Sequence, residues 1–361
     1  MSRPTTARVR LDALRHNYLQ AKALHGERAL AVVKANAYGH GAVQCAKALE
    51  TVADGFAVAA IEEALALRTA GINGPILLLE GFFEASELAE IVDQDLWTVV
   101  HHPWQLEALL ASKLDKPITV WLKMDSGMHR VGFDPAMFRQ AYEQLSASPN
   151  VRQIVLMSHF ARADEPNAAH PKQQMEIFRA TTEGIEAPVS LSNSAGILGW
   201  PSTHVNWGRP GIILYGVNPF DGLEASQEVT GDLRPVMQLE SAVIAVRSIA
   251  PGEPVGYGGA FVADRPTRVG VVACGYADGY PRIAPTGTPV AVDGQLTRLI
   301  GRVSMDMLTV DLTDLPAAGL GSRVELWGDT VPVSRVAGLA GTIAYEILCN
   351  VKRARFHYSD N

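Results

Sequence analysis

The chain has 361 residues, a length at which proteins usually divide into more than one core. It is 47% hydrophobic and 19% charged, and its 32 glycines and 21 prolines are scattered between apolar runs, as in a compact enzyme and unlike a disordered or fibrous protein. The net charge of -7, without a dense Lys/Arg cluster, gives no support to nucleic-acid or membrane-surface binding.

The cysteine pattern and the N-terminus narrow the class further. Cys45, Cys274 and Cys349 are odd in number and form no Cys-x-x-Cys or Cys/His spacing, so neither a disulfide framework nor a metal site is expected. The N-terminal stretch lacks the apolar core of a signal peptide, and no later run is long enough to span a bilayer. We therefore expect a cytoplasmic protein.

From about residue 28 to about 215, short apolar segments alternate with stretches of helical spacing. The predicted strands are Leu30–Lys34, Phe56–Ala60, Ile76–Leu79, Trp97–Val100, Thr119–Lys123, Ile154–Ser158, Val189–Ser192 and one just before Trp207. Eight such units predict an α/β fold with a (β/α)8 TIM-type barrel, whose active site lies at the carboxyl ends of the strands. The alternative, an open doubly wound sheet, would usually carry a Gly-x-Gly-x-x-Gly turn, which is missing.

After about residue 230, Val/Thr-rich segments are broken by Pro-Gly, Asp-Gly and Gly-Ser turns, and helical spacing nearly disappears. This pattern predicts a C-terminal, mostly-β domain. The polar stretch between Pro219 and Pro235 reads as a linker, so we expect domains over residues 1–230 and 231–361.

Lys34 closes the first predicted strand, in AVVKANAYGHG. A lysine at a strand end usually reaches to water, but in a barrel this strand end faces the active site. A desolvated lysine there can form a Schiff base with an aldehyde. Tyr38, four residues later, is within reach of a phosphate oxygen or of the lysine itself.

A second group of residues suggests a phosphate site. Asn193 and Ser194 lie at a predicted helix N-terminus, and WGRPGIILYG supplies Arg209 and Gly211. Taken singly, each is more simply a helix cap or a turn residue. Barrels commonly bind phosphate in the loops after strands seven and eight, however, so the coincidence favours a phosphorylated cofactor or substrate.

Three more side chains are candidates. Arg130, in KMDSGMHRVGF, and His159, in SHFARAD, follow the fifth and sixth strands and are expected to point into the same mouth. Tyr257 lies between two glycines, which suits presentation at a cleft better than core packing. His101 and His102 belong to a His-His-Pro loop and receive no role.

These segments, in order, resemble the motif set of the bacterial alanine racemases, which are fold-type III pyridoxal-phosphate enzymes. The matching segments are AVVKANAYGHG, KMDSGMHRVGF, SHFARAD, NSAG, WGRPGIILYG, VGYG, GYADGYPR, GRVSMDM and TIAYEILC. They cover nearly the whole chain, from Lys34 to Cys349. The resemblance implies a (β/α)8 barrel, a β domain, a head-to-tail homodimer, pyridoxal 5'-phosphate as cofactor and alanine as substrate.

The resemblance implies that Lys34 carries the cofactor and is the base on one face of the substrate carbon. It assigns the base on the other face to Tyr257 of the partner subunit, because racemisation needs two groups that flank a planar centre. Arg209 is expected to face the pyridine nitrogen, where a guanidinium that stays protonated disfavours a proton on that nitrogen and limits side reactions such as transamination.

The remaining roles also come from the resemblance. Phosphate binding falls to Tyr38, Ser194, the backbone of Gly211 and Ile212, and Tyr345. His159 and Asn193 support Arg209 and the surrounding shell, and Arg130 and Met305 meet the substrate carboxylate. Lys123 aligns with a lysine that is carbamylated in some relatives. There the modified lysine helps to orient the arginine that corresponds to Arg130. The substrate-access corridor is expected from Asp164, Tyr276, Arg282 and Arg302.

Three alternatives stay open. The first is a racemase of broader range, acting on serine, lysine or arginine, against which the crowding expected from Tyr345 and Met305 argues. The second is a non-catalytic pyridoxal-phosphate carrier, which would lack the second domain. The third is a decarboxylase related by fold. An alanine racemase could supply D-alanine for peptidoglycan or serve alanine catabolism, and both roles fit the sequence.

Overall fold

A computed structural model describes residues 3–220 and 232–360. The first of these two stretches alternates strands and helices. Its elements are β1 (Thr6–Arg10), α1 (Leu11–His25), β2 (Arg28–Ala29), β3 (Ala31–Val32), α2 (Ala42–Leu49), β4 (Phe56–Val58), α3 (Ile61–Thr69), β5 (Ile76–Leu78), α4 (Glu87–Asp93), β6 (Trp97–Val100), α5 (Pro103–Ala111), β7 (Ile118–Lys123), α6 (Pro135–Ser146), β8 (Val151–Met157), α7 (His170–Thr182), β9 (Val189–Ser190), α8 (Ser194–Gly199) and β10 (Trp207–Gly208).

The second stretch is rich in strands. Its elements are β11 (Met237–Ile249), β12 (Pro254–Val255), β13 (Phe261–Val262), β14 (Thr267–Val272), β15 (Pro289–Val292), β16 (Gln295–Arg298), β17 (Leu308–Asp311), β18 (Arg323–Trp327), α9 (Val333–Leu339), α10 (Ala344–Cys349) and β19 (Arg355–Ser359).

The parallel strands close into a barrel. Strands β3 to β9 pair in sequence order, and β10 pairs with β2, which continues into β3. The N–H of Leu30, between β2 and β3, donates to the carbonyl of Gly208 in β10 at 2.9 Å. The N–H of Arg209, just after β10, donates to the carbonyl of Ser192, just after β9, at 2.9 Å. The last strand, β10, is therefore joined to the first and to β9. The eight-stranded barrel predicted from the apolar segments is confirmed.

The barrel interior is packed with large apolar side chains. Trp97, Trp121 and Trp207 come from β6, β7 and β10, and their rings lie 5.5 to 6.2 Å apart. Because β6 and β10 are not neighbouring strands, this contact crosses the interior. Every residue of β7 is buried, as expected for a parallel strand covered on both faces.

The C-terminal sheet recruits the start of the chain. β1 pairs antiparallel with β11 and parallel with β19, although it lies within residues 1–230. Helices α9 and α10 are a correction to the sequence reading, which expected almost no helix after residue 230. The predicted domain boundary at residues 230 and 231 lies outside the described residues.

The predicted strand ends need adjustment. The first predicted strand extends to Lys34, but β3 stops at Val32, and Lys34 begins a separate turn. β9 is likewise shorter than predicted and leaves Ser192 in a loop. In the described part of the chain, no helix is long and apolar enough to cross a bilayer, and no group of three or more His, Cys, Asp or Glu side chains could hold a metal ion.

Candidate active site

A cavity of about 690 Å³ opens at the carboxyl ends of the barrel strands. It brings together residues that are far apart in the sequence, including Tyr345 and Cys349 from α10 of the C-terminal region. The predicted site residues that line it are Lys34, Tyr38, Lys123, Arg130, His159, Asn193, Ser194, Arg209, Gly211, Ile212 and Tyr345.

Lys34 and Tyr38 are held by a left-handed turn. The residues from Ala35 to Tyr38 have φ between 51° and 55°, although none is glycine. Left-handed backbone costs L-residues roughly 1–2 kcal/mol each, and such strain collects at functional sites. The N–H of Gly39 donates to the carbonyl of Ala35 at 3.0 Å, and the N–H of Ala35 donates to the Glu63 carboxylate at 2.6 Å. The turn therefore presents its first and last side chains to one cavity.

Neutral donors line one end of the cavity. Asn193 caps α8 by accepting from the N–H of Gly196 at 2.9 Å, which confirms the predicted helix N-terminus. The N–H of Gly211 donates to the Ser194 hydroxyl oxygen at 2.9 Å, and Ile212 opens a 3-10 turn whose first N–H has no acceptor within the turn.

Gly211 cannot carry a side chain here without disturbing this donor set. A Cβ at this position would lie 2.6 Å from the Tyr38 hydroxyl oxygen. Burial raises the pKa of Tyr38, so its hydroxyl stays protonated and can donate. The four groups, two hydroxyls and two backbone N–H groups, suit a small anion such as a phosphate monoester.

Tyr345 ties α10 to this end of the cavity. Its ring centroid lies 5.8 Å from that of Tyr38. Burial, followed by the negative charge of Asp164, raises the pKa of Tyr345, so both tyrosines enter the site as neutral donors.

Arg209 is the buried cation of the site, with 4% of its surface exposed. Its guanidinium donates to the carbonyls of Ser158 at 2.8 Å and Leu191 at 3.2 Å, to the Ser190 hydroxyl, and to His159 Nδ1 at 3.4 Å. Burial lowers the pKa of Arg209 to about 10, which leaves it protonated at neutral pH. Burial and the Arg209 charge push the pKa of His159 well below its usual range, so the imidazole is a neutral acceptor.

No carboxylate among residues 3–220 and 232–360 forms an ion pair with Arg209, since its contacts are carbonyls, a hydroxyl and an imidazole. Lys123 adds a second buried cationic group, 6% exposed, on the same side. Burial, and then the charges of Arg209 and Arg130, lower the pKa of Lys123 to about 7. A substantial fraction of this amine is therefore neutral at physiological pH.

Arg130 lies on a loop with a fixed backbone. The Asp125 carboxylate accepts from the N–H groups of Gly127, Met128 and His129 at 2.9 to 3.0 Å. This clamp shapes the loop that carries Arg130 to the cavity wall.

Sequence reasoning missed His101, which lines the cavity together with Glu80, Phe83 and Val131. Its Nε2 bonds to the Glu80 carbonyl at 3.0 Å, and burial lowers the pKa of its imidazole. Its position could have signalled this, because it directly follows β6 and so lies at a strand end, where barrel active sites form.

The other predicted residues lie away from this cavity. Tyr257 is 72% exposed and Met305 is 53% exposed, and neither lines the cavity of its own chain. A Cβ on Gly258 would lie 3.1 Å from the Arg302 guanidinium, so Arg302 flanks the tyrosine turn. Tyr276 and Arg282 line a separate cavity of about 390 Å³.

Comparison with known proteins gives one consistent family. Residues 9–219 match the family model described as alanine racemase, N-terminal domain, and residues 236–358 match alanine racemase, C-terminal domain. The chain is 62% identical over 351 residues to an alanine racemase of Pseudomonas entomophila, covering 97% of this chain and 98% of that one.

Solved structures agree with this assignment. The biosynthetic alanine racemase of Pseudomonas aeruginosa is 51% identical, with a TM-score of 0.95 and 99% of each chain covered. The alanine racemase of Bartonella henselae, solved with covalently bound pyridoxal phosphate, is 30% identical, with a TM-score of 0.89 and 99% of each chain covered. The chain therefore belongs to the alanine racemase family.

Proposed function

We propose that this chain interconverts L-alanine and D-alanine with pyridoxal phosphate as cofactor. The observation that carries the proposal is one cavity in which Lys34, a cradle of neutral phosphate donors and the buried cation Arg209 lie together. A reactive amine, an anion cradle and a fixed cation match the aldehyde, the phosphate and the ring nitrogen of this cofactor.

The donor set fits the cofactor at each end. Ser194, Tyr38, Tyr345 and the backbone N–H groups of Gly211 and Ile212 would hold its phosphate. When bound, pyridoxal phosphate withdraws electrons from the substrate Cα and so makes its proton acidic. Arg209, supported by His159 and Asn193, would hold the pyridine nitrogen without donating a transferable proton, because its guanidinium stays charged.

The two-base step requires a second chain. Lys34 would hold or release the Cα proton on one face, and Tyr257 of the partner subunit would do so on the opposite face. Tyr257 is highly exposed and does not line the cavity of its own chain, which supports a homodimer with shared sites. In that dimer, Arg130 and the partner's Met305 would bind the substrate carboxylate, and Asp164, Tyr276, Arg282 and Arg302 would line the access corridor.

Replacement of Gly211 by alanine is expected to weaken pyridoxal-phosphate binding by about tenfold or more, because the new methyl group would displace the Tyr38 hydroxyl from the cradle. Equilibrium dialysis of the refolded apoprotein measures the effect. Gly74→Ala is the control, because Gly74, like Gly211, does not have a left-handed φ, and a Cβ there meets no atom within 4 Å. Unchanged cofactor affinity in Gly211→Ala would argue against this phosphate site.

Lys123 is proposed to carry a carbamate, formed when its neutral amine attacks CO2 and releases a proton. Because its pKa is about 7, the amine is protonated below that pH and neutral above it. We expect a carbamate carbonyl signal after equilibration with 13C-bicarbonate at about pH 8.5 and little signal at about pH 6. The signal must vanish in Lys123→Met, and its persistence there, or its absence at high pH, would refute the modification.

Substrate range is tested by chiral chromatography after incubation with alanine, serine, lysine and arginine. The proposal expects racemisation of alanine well ahead of the larger amino acids, because Tyr345 narrows the cavity. Comparable rates on serine or lysine would favour the broader racemase. Cofactor binding without racemisation of any of the four would favour the carrier.

A further inference from the structure

We infer that His40 is a positioning residue that fixes the left-handed turn of Lys34 and Tyr38, and so sets the Tyr38 hydroxyl for the cofactor phosphate. The inference rests on the proposed function, because it gives Tyr38 the role of a phosphate donor. His40 itself does not line the cavity and acts only through the turn.

The hydrogen bonds of His40 are local and specific. Its side chain is fully buried, and its Nδ1 lies 3.0 Å from the carbonyl oxygens of both Ala37 and Tyr38. Two carbonyls can only accept, so Nδ1 carries the proton and donates to the last two residues of the left-handed turn. Burial lowers the pKa of His40 to about 4, which keeps the ring neutral at working pH.

A stack of three rings connects His40 to the Tyr38 side chain. The His40 ring stacks on the Tyr215 ring with a centroid separation of 4.5 Å. The Tyr215 ring centroid lies 4.8 Å from that of Tyr38, whose side chain reaches the cavity. The Tyr215 hydroxyl donates to the carbonyl of Val32 at 2.9 Å, on the strand that leads into Lys34. The imidazole therefore supports both the backbone and the ring of Tyr38.

The turn needs such support because its conformation opposes the preference of its residues. Ala35, Asn36, Ala37 and Tyr38 would each favour right-handed backbone in isolation. The Glu63 carboxylate holds the first N–H of the turn, and His40 holds its last carbonyls. The two side chains secure opposite ends of one strained segment.

The test compares two ligands and three variants of the full chain. His40→Phe keeps an aromatic ring but loses the donor, while His40→Asn keeps a donor near the Nδ1 position and loses the ring. Dissociation constants are measured for pyridoxal phosphate and for pyridoxal, which lacks the phosphate. His25→Phe is the matched control, because His25 is also buried and, like His40, does not line the cavity, but its ring bonds to the carbonyl of Val205 and not to the turn.

The inference expects His40→Phe to bind pyridoxal phosphate about tenfold more weakly than wild type, with pyridoxal changed by less than about twofold. His40→Asn should stay within about threefold of wild type for both ligands. Equal affinity of His40→Phe and wild type for pyridoxal phosphate would overturn the inference. An equal loss for both ligands would also overturn it, since that would report general loosening of the fold.

If His40→Phe fails to fold, the test becomes a comparison of His40→Asn with His40→Leu, whose side chains have the same branching and the same number of heavy atoms. The inference then requires Asn to bind pyridoxal phosphate about tenfold more tightly than Leu, and equal affinities overturn it. If the wild-type chain binds no pyridoxal phosphate, the proposed function itself is wrong. This outcome distinguishes failure of the proposed function from failure of the inference about His40.

Discussion

Lys34→Ala is expected to lower alanine racemisation by at least about a thousandfold in both directions, because it removes both the covalent attachment and one of two bases. Chiral chromatography of the product measures the rate. Borohydride reduction followed by peptide mapping should label the Lys34 peptide in wild type and no peptide in the variant.

Lys47→Ala is the control for the Lys34 variant, since Lys47 is exposed at the end of α2. It should keep the wild-type rate. A Lys34→Ala protein within about tenfold of wild type would remove the lysine from the mechanism.

Tyr257→Phe is expected to separate the two directions of proton transfer. Exchange of the Cα proton of L-alanine with solvent should fall by about a hundredfold or more, because the phenol on that face is lost. Exchange from D-alanine should largely survive, because Lys34 serves the other face. Proton NMR in D2O follows both reactions, and Tyr142→Phe, on helix α6 outside the cavity, is the control. Equal loss in both directions would contradict a base on one face only.

Hybrid dimers test which chain supplies the phenol. Mixing Lys34→Ala and Tyr257→Phe subunits gives hybrids in which one site holds both substitutions and the other holds neither. If Tyr257 serves the partner's cavity, equal mixing and reassortment should restore about a quarter of wild-type activity. No restoration would mean that each chain uses its own tyrosine.

Local sequence pattern predicted the barrel well because its strands are apolar on both faces and its turns fall at regular intervals. Arg130 and His159, which follow β7 and β8, were found by the same rule, since strand ends define the mouth, whereas Lys123, at the end of β7, came only from the family resemblance. His101 satisfies this rule too, and was passed over because its His-His-Pro setting resembled an exposed loop.

Other features depend on contacts that no local pattern contains. β1 joins the C-terminal sheet through partners more than two hundred residues away, such as Met237 opposite Val9. The left-handed turn has no glycine between Ala35 and Tyr38, so propensity argues against it, and the distant Glu63 carboxylate and the local His40 side chain help to hold it. Helix α10 is too short for its periodicity to stand out among the β segments.

Tyr257 illustrates a different limit. Its position between two glycines indicated presentation at a cleft, and the turn that carries it is indeed exposed. The cleft that Tyr257 would serve belongs to the partner subunit, so neither the sequence pattern nor the fold of a single chain reveals it. The role of Tyr257 therefore stays a proposal about the dimer.

Lys34 and Tyr257 are proposed to exchange the Cα proton of alanine from opposite faces. The most direct test of this proposal is deuterium incorporation by the wild-type protein with pyridoxal phosphate in D2O, starting separately from L-alanine and D-alanine. We expect each enantiomer to yield the opposite enantiomer carrying deuterium at Cα. Cofactor binding without deuterium in either enantiomer would contradict the proposal.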